Sequence, residues 1–456
     1  MKTVKSHFRA FFSVLFITIF ICQSVFAATK AEIDTLAAHF PESWPEAPEI
    51  TSESAILVEI NSGAIVYAKN PTRSMYPAST TKLMTAYLTL TNCDLDEIIT
   101  YSSKAVLSLE PGSSHIGLKV GESLNVEDSL YGLLLPSANE VANGLAEHIS
   151  GSISSFADLM NETAASLGCV NTNFCNANGL HDPNHMTCAY DLYLIMLACI
   201  QQSDYVRISS SKTYVRPSDE LLAKEIPMAT TNQFLKKDSE LYEPSVVCGK
   251  TGWTQEAGRC LVTYASQGDM DLICVVMNSE NPNQYKDTQI LLNYAYRNFR
   301  CVRPYDLDSQ LSPGMLETTS PLGLAEDPVS ILELDSSSRI LLPSSCDFSS
   351  LTRKVTSSEA GSRRITYRLN GYPLGTASIV AAASDTTNGL WNSSDAADTI
   401  MDNLTISRLH TVNLWLLASA VSAAILLTAL IILAVKIRNA PKETPSRDEE
   451  HYYHLQ

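Results

Sequence analysis

From Thr411 to Val435 the chain reads TVNLWLLASAVSAAILLTALIILAV, without one charged residue. A run of that length can cross the hydrocarbon core of a bilayer as a helix. Lys436, Arg438 and Lys442 follow at once, and positive residues stay on the cytoplasmic side. The expectation is one membrane span over 411–435, with the body of the chain outside the cytoplasm and a short polar tail, 436–456, inside. Trp415 falls near the outer edge, where interfacial aromatics collect. The other end carries Lys2, Lys5 and Arg9, then the apolar run AFFSVLFITIFICQSVFA. It closes on Val25-Phe26-Ala27, which describes a secretory signal over 1–28, cleaved near Ala27 or Ala28. A retained membrane anchor is the rival reading, and the small-residue exit argues against it. The folding body is thus expected between about Thr29 and His410, long enough for two domains and a stalk.

Within that body the period of the apolar residues changes twice. SAILVEINSGAIVYAK reads as two strands joined by the turn Asn61-Ser62-Gly63. A mostly helical stretch follows to about Ile200, interrupted by EPGSSHIGLKVGES and NANGLHDPNHMTCAYD. From Ser245 on, SVVCGKTG, GRCLVTYAS and MDLICVVMN return to strand texture, with Gln267-Gly268-Asp269 turning the second into the third. NQYKDTQILLNYAYRNF is a closing amphipathic helix. Strands, helices, strands and helix in that order describe an α+β domain over 29–301, with one antiparallel sheet built from both ends. Beyond it, VSILEL, RITYRL and ASIVAA are short and separated by Pro, Gly and Ser. They read as a small all-β domain over 302–384. SDTTNGLWNSSDAADT then suggests a flexible stalk, 385–410.

Charge and cysteine usage exclude some functions. The chain has 32 Lys and Arg against 49 Asp and Glu, a formal charge of −17. No basic stripe is present, so no nucleic-acid partner is expected. No CxxC pair exists, which leaves a zinc ribbon or thioredoxin-type motif unsupported. Cys199, Cys248, Cys260 and Cys274 lie in apolar runs and read as small buried hydrophobes. Cys169 and Cys175 are the nearest candidates for a local disulfide.

The chemistry starts at YPASTTKLMTAYL, residues 76–88. Leu83, Ala86, Tyr87 and Leu90 repeat at helical spacing, yet Lys82 sits in the first turn, three residues after Ser79. Lysine is rarely buried without a partner. Alone, the pair reads as a capping serine and a solvated lysine. Two further motifs change the weight: Ser137-Ala138-Asn139, and Lys250-Thr251-Gly252 at the end of a strand. In this order, with the first opening a helix, they match the Ser-x-x-Lys, Ser-x-Asn, Lys-Thr-Gly set of penicillin-interacting serine enzymes. Serine is a poor nucleophile at neutral pH and needs a base within hydrogen-bond reach. Positions i and i+3 share a helix face, so Lys82 can stand beside the Ser79 hydroxyl. The amine must first lose its proton, which burial and a neighbouring cation such as Lys250 favour. Ser137 is a candidate proton relay, and Asn139 is placed to hold Lys82 and the substrate amide. Lys250 and Thr251 are suited to a substrate carboxylate. Gly252 allows close backbone approach, and the N–H groups of Ser79 and Trp253 are the candidate oxyanion donors.

With these motifs the chain resembles the D-alanyl-D-alanine carboxypeptidases, the low-molecular-weight penicillin-binding proteins. The resemblance covers roughly Pro48 to Ala383. It extends to ILVEINSGAIVYAKNP, EPGSSHIGLKVGE, LLLPSANEVANGLAEHISGS, NANGLHDPNHMTCAYDL, TTNQFL and GKTGWTQEAGRCLVTYA. It implies a serine β-lactamase/transpeptidase-like domain, a small β-domain and an anchor on the outer face of the membrane. The implied substrates are peptidoglycan stem pentapeptides, which lose the terminal D-alanine through an acyl-enzyme. β-Lactams are the implied inhibitors, acylating the same serine, and no cofactor is implied. Family anchors often lie along the membrane, whereas 411–435 reads as fully spanning.

Four rival readings exist, of which a Ser-His-Asp hydrolase is disfavoured because no Gly-x-Ser-x-Gly elbow occurs. HDPNH, His181 to His185, mimics a zinc helix motif, but Pro183 disfavours the helix that would put both histidines on one face. No metal is therefore expected, and the segment reads as a loop near the cleft. A class A β-lactamase needs a glutamate to position its deacylating water; Glu140 and Glu147 are present, without a clear counterpart. A non-catalytic wall-binding protein that kept the fold is disfavoured by three intact motifs.

Overall fold

The computed structural model describes residues 29–110, 112–308, 332–357 and 363–381. The expected signal, stalk, membrane span and tail lie outside the described residues. Among the described residues no helix is long and apolar enough to cross a membrane.

Helix α1 (Lys30–Ala38) opens on a capping box, in which Thr29 and Glu32 satisfy each other's backbone N–H. Strands β1 (Ser54–Glu59) and β2 (Ala64–Lys69) form the first hairpin, with Gly63 at φ +71° in the turn. Helix α2 (Lys82–Asn92) follows a 3₁₀ turn at Ala78–Thr81. Then come β3 (Ile98–Thr100), α3 (Ser103–Leu107), β4 (Ser123–Asn125), α4 (Val126–Leu134), α5 (Asn139–Ser150), α6 (Ile153–Ser166), α7 (Ala189–Ile200) and α8 (Ser203–Ser209). The caps follow from sequence: Ser102, Asn125 and Ser152 each accept a backbone N–H at the start of α3, α4 and α6. Helix α5 stops at Gly151, which takes the left-handed φ of +74°. Two short hairpins also form: β3–β4 within the helical region, and β5 (Thr213–Arg216) with β6 (Ile226–Ala229) after it. They were not anticipated, because so few residues carry no readable alternation.

Strands β7 (Val246–Thr254), β8 (Gly258–Gln267) and β9 (Met270–Ser279) complete a five-stranded antiparallel sheet in the order β2-β1-β9-β8-β7. The two ends of this region therefore meet at β1–β9, where Ala55 faces Val276 and Leu57 faces Cys274. Strand β1 is buried throughout, as expected for a strand covered on both faces. Alternate side chains divide between two cores. Ile56, Val58, Ile273, Val275 and Met277 join the helical core with Leu83, Met84, Leu130 and Leu145. Ala55, Leu57, Leu272, Cys274 and Val276 join Leu291, Leu292 and Ala295 of the closing helix α9 (Asn283–Asn298).

A second antiparallel sheet runs β10 (Phe299–Val302), β12 (Ile340–Pro343), β15 (Tyr372–Ala381), β14 (Arg363–Leu369) and β13 (Thr352–Ser357), with β11 (Leu332–Leu334) also paired to β15. Asn370 and Gly371, both at positive φ, turn β14 into β15. This sheet starts inside the residues read as catalytic, since the 301/302 boundary falls within β10. It also shares the second core: Ile340, Leu342, Ile365 and Tyr367 pack in the same cluster as Leu57 and Leu291. An aromatic seam closes the join. Trp44 lies 4.9 Å from Phe299 and 5.1 Å from Tyr372, and Phe40 stacks on Trp44 at 5.4 Å. Trp44 Nε1 donates to the carbonyl of Val66 and the Tyr372 hydroxyl to that of Ile65, tying the seam to β2.

All ten cysteines of the described residues are unpaired. This corrects the expected Cys169–Cys175 disulfide. The Cys169 thiol points to the Asp191 carbonyl at 3.9 Å, whereas Cys175 meets the Asn173 side chain at 3.5 Å. Close spacing along a loop does not aim two Cβ vectors at each other. Cys199, Cys248, Cys260 and Cys274 are buried, as their apolar context implies.

Candidate active site

The three motifs arrive from separate elements at one place. Ser79 lies in the 3₁₀ turn, directly before α2, and is partly exposed. Lys82 is the first residue of α2 and is fully buried. Ala78, just before the serine, holds φ at +48°, a left-handed backbone that costs a residue with a Cβ of order 1–3 kcal/mol. Ser137 likewise sits at φ +66°, two residues before α5, which Asn139 opens. Lys250 lies on β7 and is 1% exposed. The strand passes very close to the serine turn. A Cβ on Gly252 would stand 3.0 Å from the Pro77 carbonyl and 3.1 Å from the Ser79 amide nitrogen. The approach that Gly252 permits here is to the backbone of Ser79 itself.

Lys82 Nζ lies 3.0 Å from Ser79 Oγ, 2.7 Å from Asn139 Oδ1 and 2.6 Å from the Asn178 carbonyl oxygen. Two of these partners are amide oxygens that can only accept; the hydroxyl can also donate. A neutral amine has two N–H groups and one lone pair. The arrangement therefore leaves the lone pair for Ser79. Burial first, and the nearby Lys250 second, hold the Lys82 amine well below the ordinary lysine range, while Glu140 opposes them. Lys250 Nζ donates to Ser137 Oγ and to the Thr251 carbonyl, each at 2.9 Å. Burial lowers its pKa to about 7. Thr251 Oγ1 lies 2.7 Å from Thr231 Oγ1, which brings the TTNQFL segment to the same strand. Trp253 is 57% exposed beyond it, with Arg259 over its ring at 5.0 Å.

A family model described as D-alanyl-D-alanine carboxypeptidase matches residues 42–281, which contain all three motifs. The chain belongs to this family of serine peptidases. It is 32% identical to D-alanyl-D-alanine carboxypeptidase DacF of Bacillus subtilis, over 54% of this chain and 63% of that one, so the match spans just under two thirds of the relative. It is 31% identical to DacC of Escherichia coli, over 59% of this chain and 67% of that one. Among solved structures, penicillin binding protein 5 from Haemophilus influenzae superposes with a TM-score of 0.60 at 25% identity, covering 74% of this chain and 98% of that one. Penicillin binding protein 6B from Escherichia coli gives 0.56 at 25%, covering 75% and 98%.

The family's recurrent segment NANGLHDPNH supplies contacts that residue types alone did not reveal. Asn178 gives its backbone carbonyl to Lys82, and its side-chain amide donates to Asn143 of α5. A carbonyl leaves no mark in a sequence; only the family likeness of the segment pointed there. Gly179, at φ +84°, presses on the serine turn: a Cβ there would stand 1.9 Å from the Ala78 carbonyl oxygen. The two histidines separate, as the proline implied. His181 packs edge-on against Tyr76 at 4.8 Å. His185 is buried, with the Cys175 amide 2.9 Å from Nδ1 and Thr81 Oγ1 2.8 Å from Nε2. Both ring nitrogens are thus engaged by protein, which leaves no ligand position for zinc. Elsewhere among the described residues, Cys93, Glu97 and His148 converge at the far ends of α2 and α5, where His148 Nε2 lies 3.1 Å from Glu97 Oε2. Glu147 accepts from Ser102 on that distant half of α5, and Glu140 Oε1 accepts the amides of Ile116 and Gly117.

Proposed function

We propose that this chain removes the terminal D-alanine from peptidoglycan stem pentapeptides through an acyl-enzyme on Ser79, and that β-lactams acylate the same oxygen. The observation that carries the reading is the set of three partners around Lys82 Nζ, two of which can only accept. As Ser79 Oγ bonds to the carbonyl carbon of the penultimate residue, its proton passes to Lys82. The C–N bond then breaks, and the departing amine takes up a proton relayed through Ser137. Water hydrolyses the ester and restores the serine. Lys250 and Thr251 would receive the substrate's free carboxylate, and the N–H groups of Ser79 and Trp253 would hold the oxyanion. The near contact of β7 with the serine turn supports that pairing.

The working body is proposed to lie outside the cytoplasm, with 1–28 as a cleaved signal and 411–435 as the single span. The charge-free run followed by Lys436, Arg438 and Lys442 supports this orientation. The second sheet is read as the family's small β-domain after the catalytic part.

The full-length protein incubated with a pentapeptide should release D-alanine, followed by mass spectrometry, and Ser79→Ala should release none. Long-lived labelling by fluorescent penicillin is expected as well. Rapid turnover of nitrocefin would favour the β-lactamase reading, and absence of both release and labelling the non-catalytic one.

The pH profile should be a bell. Lys82 must be neutral, so kcat/KM rises as pH climbs through its lowered pKa. Lys250 must be charged to hold a carboxylate, so kcat/KM falls as pH passes about 7. Lys250→Arg keeps its charge at all these values. It should remove the alkaline limb, and an unchanged limb in that variant would assign it to another group.

A further inference from the structure

His185 lies outside the three motifs, yet it is 2% exposed and wired to the nucleophile's turn. The direction of each link is fixed. The backbone N–H of Cys175 can only donate, so Nδ1 of His185 accepts it and carries no proton. The neutral ring therefore has its hydrogen on Nε2, which donates to Thr81 Oγ1. Thr81 Oγ1 in turn donates to the Ala78 carbonyl oxygen at 2.8 Å. That carbonyl belongs to the residue at φ +48°, one bond before Ser79. A strained backbone persists only where its surroundings over-determine it. Gly179 packs closely against the same carbonyl and against Thr81 Oγ1. Its neighbour Asn178 holds Lys82. One loop thus restrains both members of the nucleophile–base pair.

We infer that His185 is a positioning residue, acting through Thr81 on the Ala78 carbonyl to keep Ser79 Oγ in line with Lys82 Nζ. The inference rests on the proposed acylation at Ser79. Burial keeps the imidazole neutral, lowering its pKa to about 4 against the opposing pull of Asp182, with His181 and Lys82 adding to the lowering. A ring that merely fills space beside Phe174, 5.5 Å away, would need neither nitrogen.

The test separates the two nitrogens. In His185→Asn the amide oxygen can take the place of Nδ1 but the side chain is too short to reach Thr81. In His185→Gln the amide N–H can take the place of Nε2. Thr81→Val keeps the shape of the threonine and loses the hydroxyl. Penicillin acylation of the full-length protein is resolved into the dissociation constant of the initial complex and the acylation rate, alongside the melting temperature. His185→Asn and Thr81→Val should each slow acylation roughly tenfold or more, the scale of a small misplacement of a reacting atom, with the dissociation constant unchanged. His185→Gln should recover most of the rate, and the double variant His185→Asn/Thr81→Val should be no slower than either single one. Acylation at the parent rate in His185→Asn, multiplying losses in the double variant, or a lowered melting temperature with the rate intact would each overturn the inference. Parent protein that is not labelled, or is labelled equally with Ser79→Ala, would instead bring down the acylation reading itself.

Discussion

Lys82→Ala should slow acylation by penicillin about 10²- to 10⁴-fold, the range that a positioned general base supplies, and leave the fold intact. The amine is the sole side-chain nitrogen shown to contact Ser79 Oγ among the described residues. Its removal leaves a hydroxyl that ionises too weakly to attack. It also leaves Asn139 Oδ1 and the Asn178 carbonyl without their donor, at a cost of about 1–3 kcal/mol for each buried group. Relief of the buried amine partly offsets that loss. Circular dichroism and a thermal melt should therefore report a folded protein, while stopped-flow acylation reports the defect. Lys82→Arg sharpens the result. Arginine can donate to the two amide oxygens but never gives up its proton. It should acylate as poorly as the alanine variant; recovery with arginine would show that charge, not basicity, is what the site uses.

Gly179→Ala is expected to damage stability and acylation together. Its Cβ would stand 1.9 Å from the Ala78 carbonyl oxygen and 2.5 Å from the carbonyl carbon, so backbone must move. Overpacking of this kind costs about 1–3 kcal/mol, and the φ of +84° adds about 1–2 kcal/mol for a residue with a Cβ. The atoms that must give way are the ones before Ser79, so acylation should fall with the melting temperature. Gly63→Ala is the internal control. Its φ is +71° and nothing lies within 4 Å of the added carbon, so it pays only the backbone term. If the two variants melt alike and Gly179→Ala acylates at the parent rate, the pressure of this loop on the serine turn is not important.

What could be read from the chain follows from which interactions involve side chains. The near-continuous apolar runs in SAILVE and DLICVVM mark strands because both faces of β1 and β9 are covered by apolar side chains. Ser79, Lys82, Ser137, Asn139, Lys250 and Gly252 stand out because their residue types fall in the spacing of three motifs, and contacts link them in space. The Asn178 carbonyl was not legible, since any residue there carries one. His185 was visible only as half of a metal decoy, and its links to Cys175 and Thr81 join positions far apart along the chain. The hairpin of β5 and β6 escaped because Pro227 and scattered charges blur its alternation. Cysteine spacing misled for the opposite reason, since separation along a loop says little about direction in space.

The seam of Trp44, Phe299 and Tyr372 has a practical corollary. Phe299 begins the second sheet and Tyr372 belongs to its last strand, yet both cover a tryptophan that is hydrogen-bonded to the edge of the first sheet. Trimming the molecule back to the family-matched core would strip this lid and present a greasy scar to solvent. The half that carries the three motifs is therefore expected not to behave as a detachable module, and a protease cut near residue 300 should yield sticky fragments.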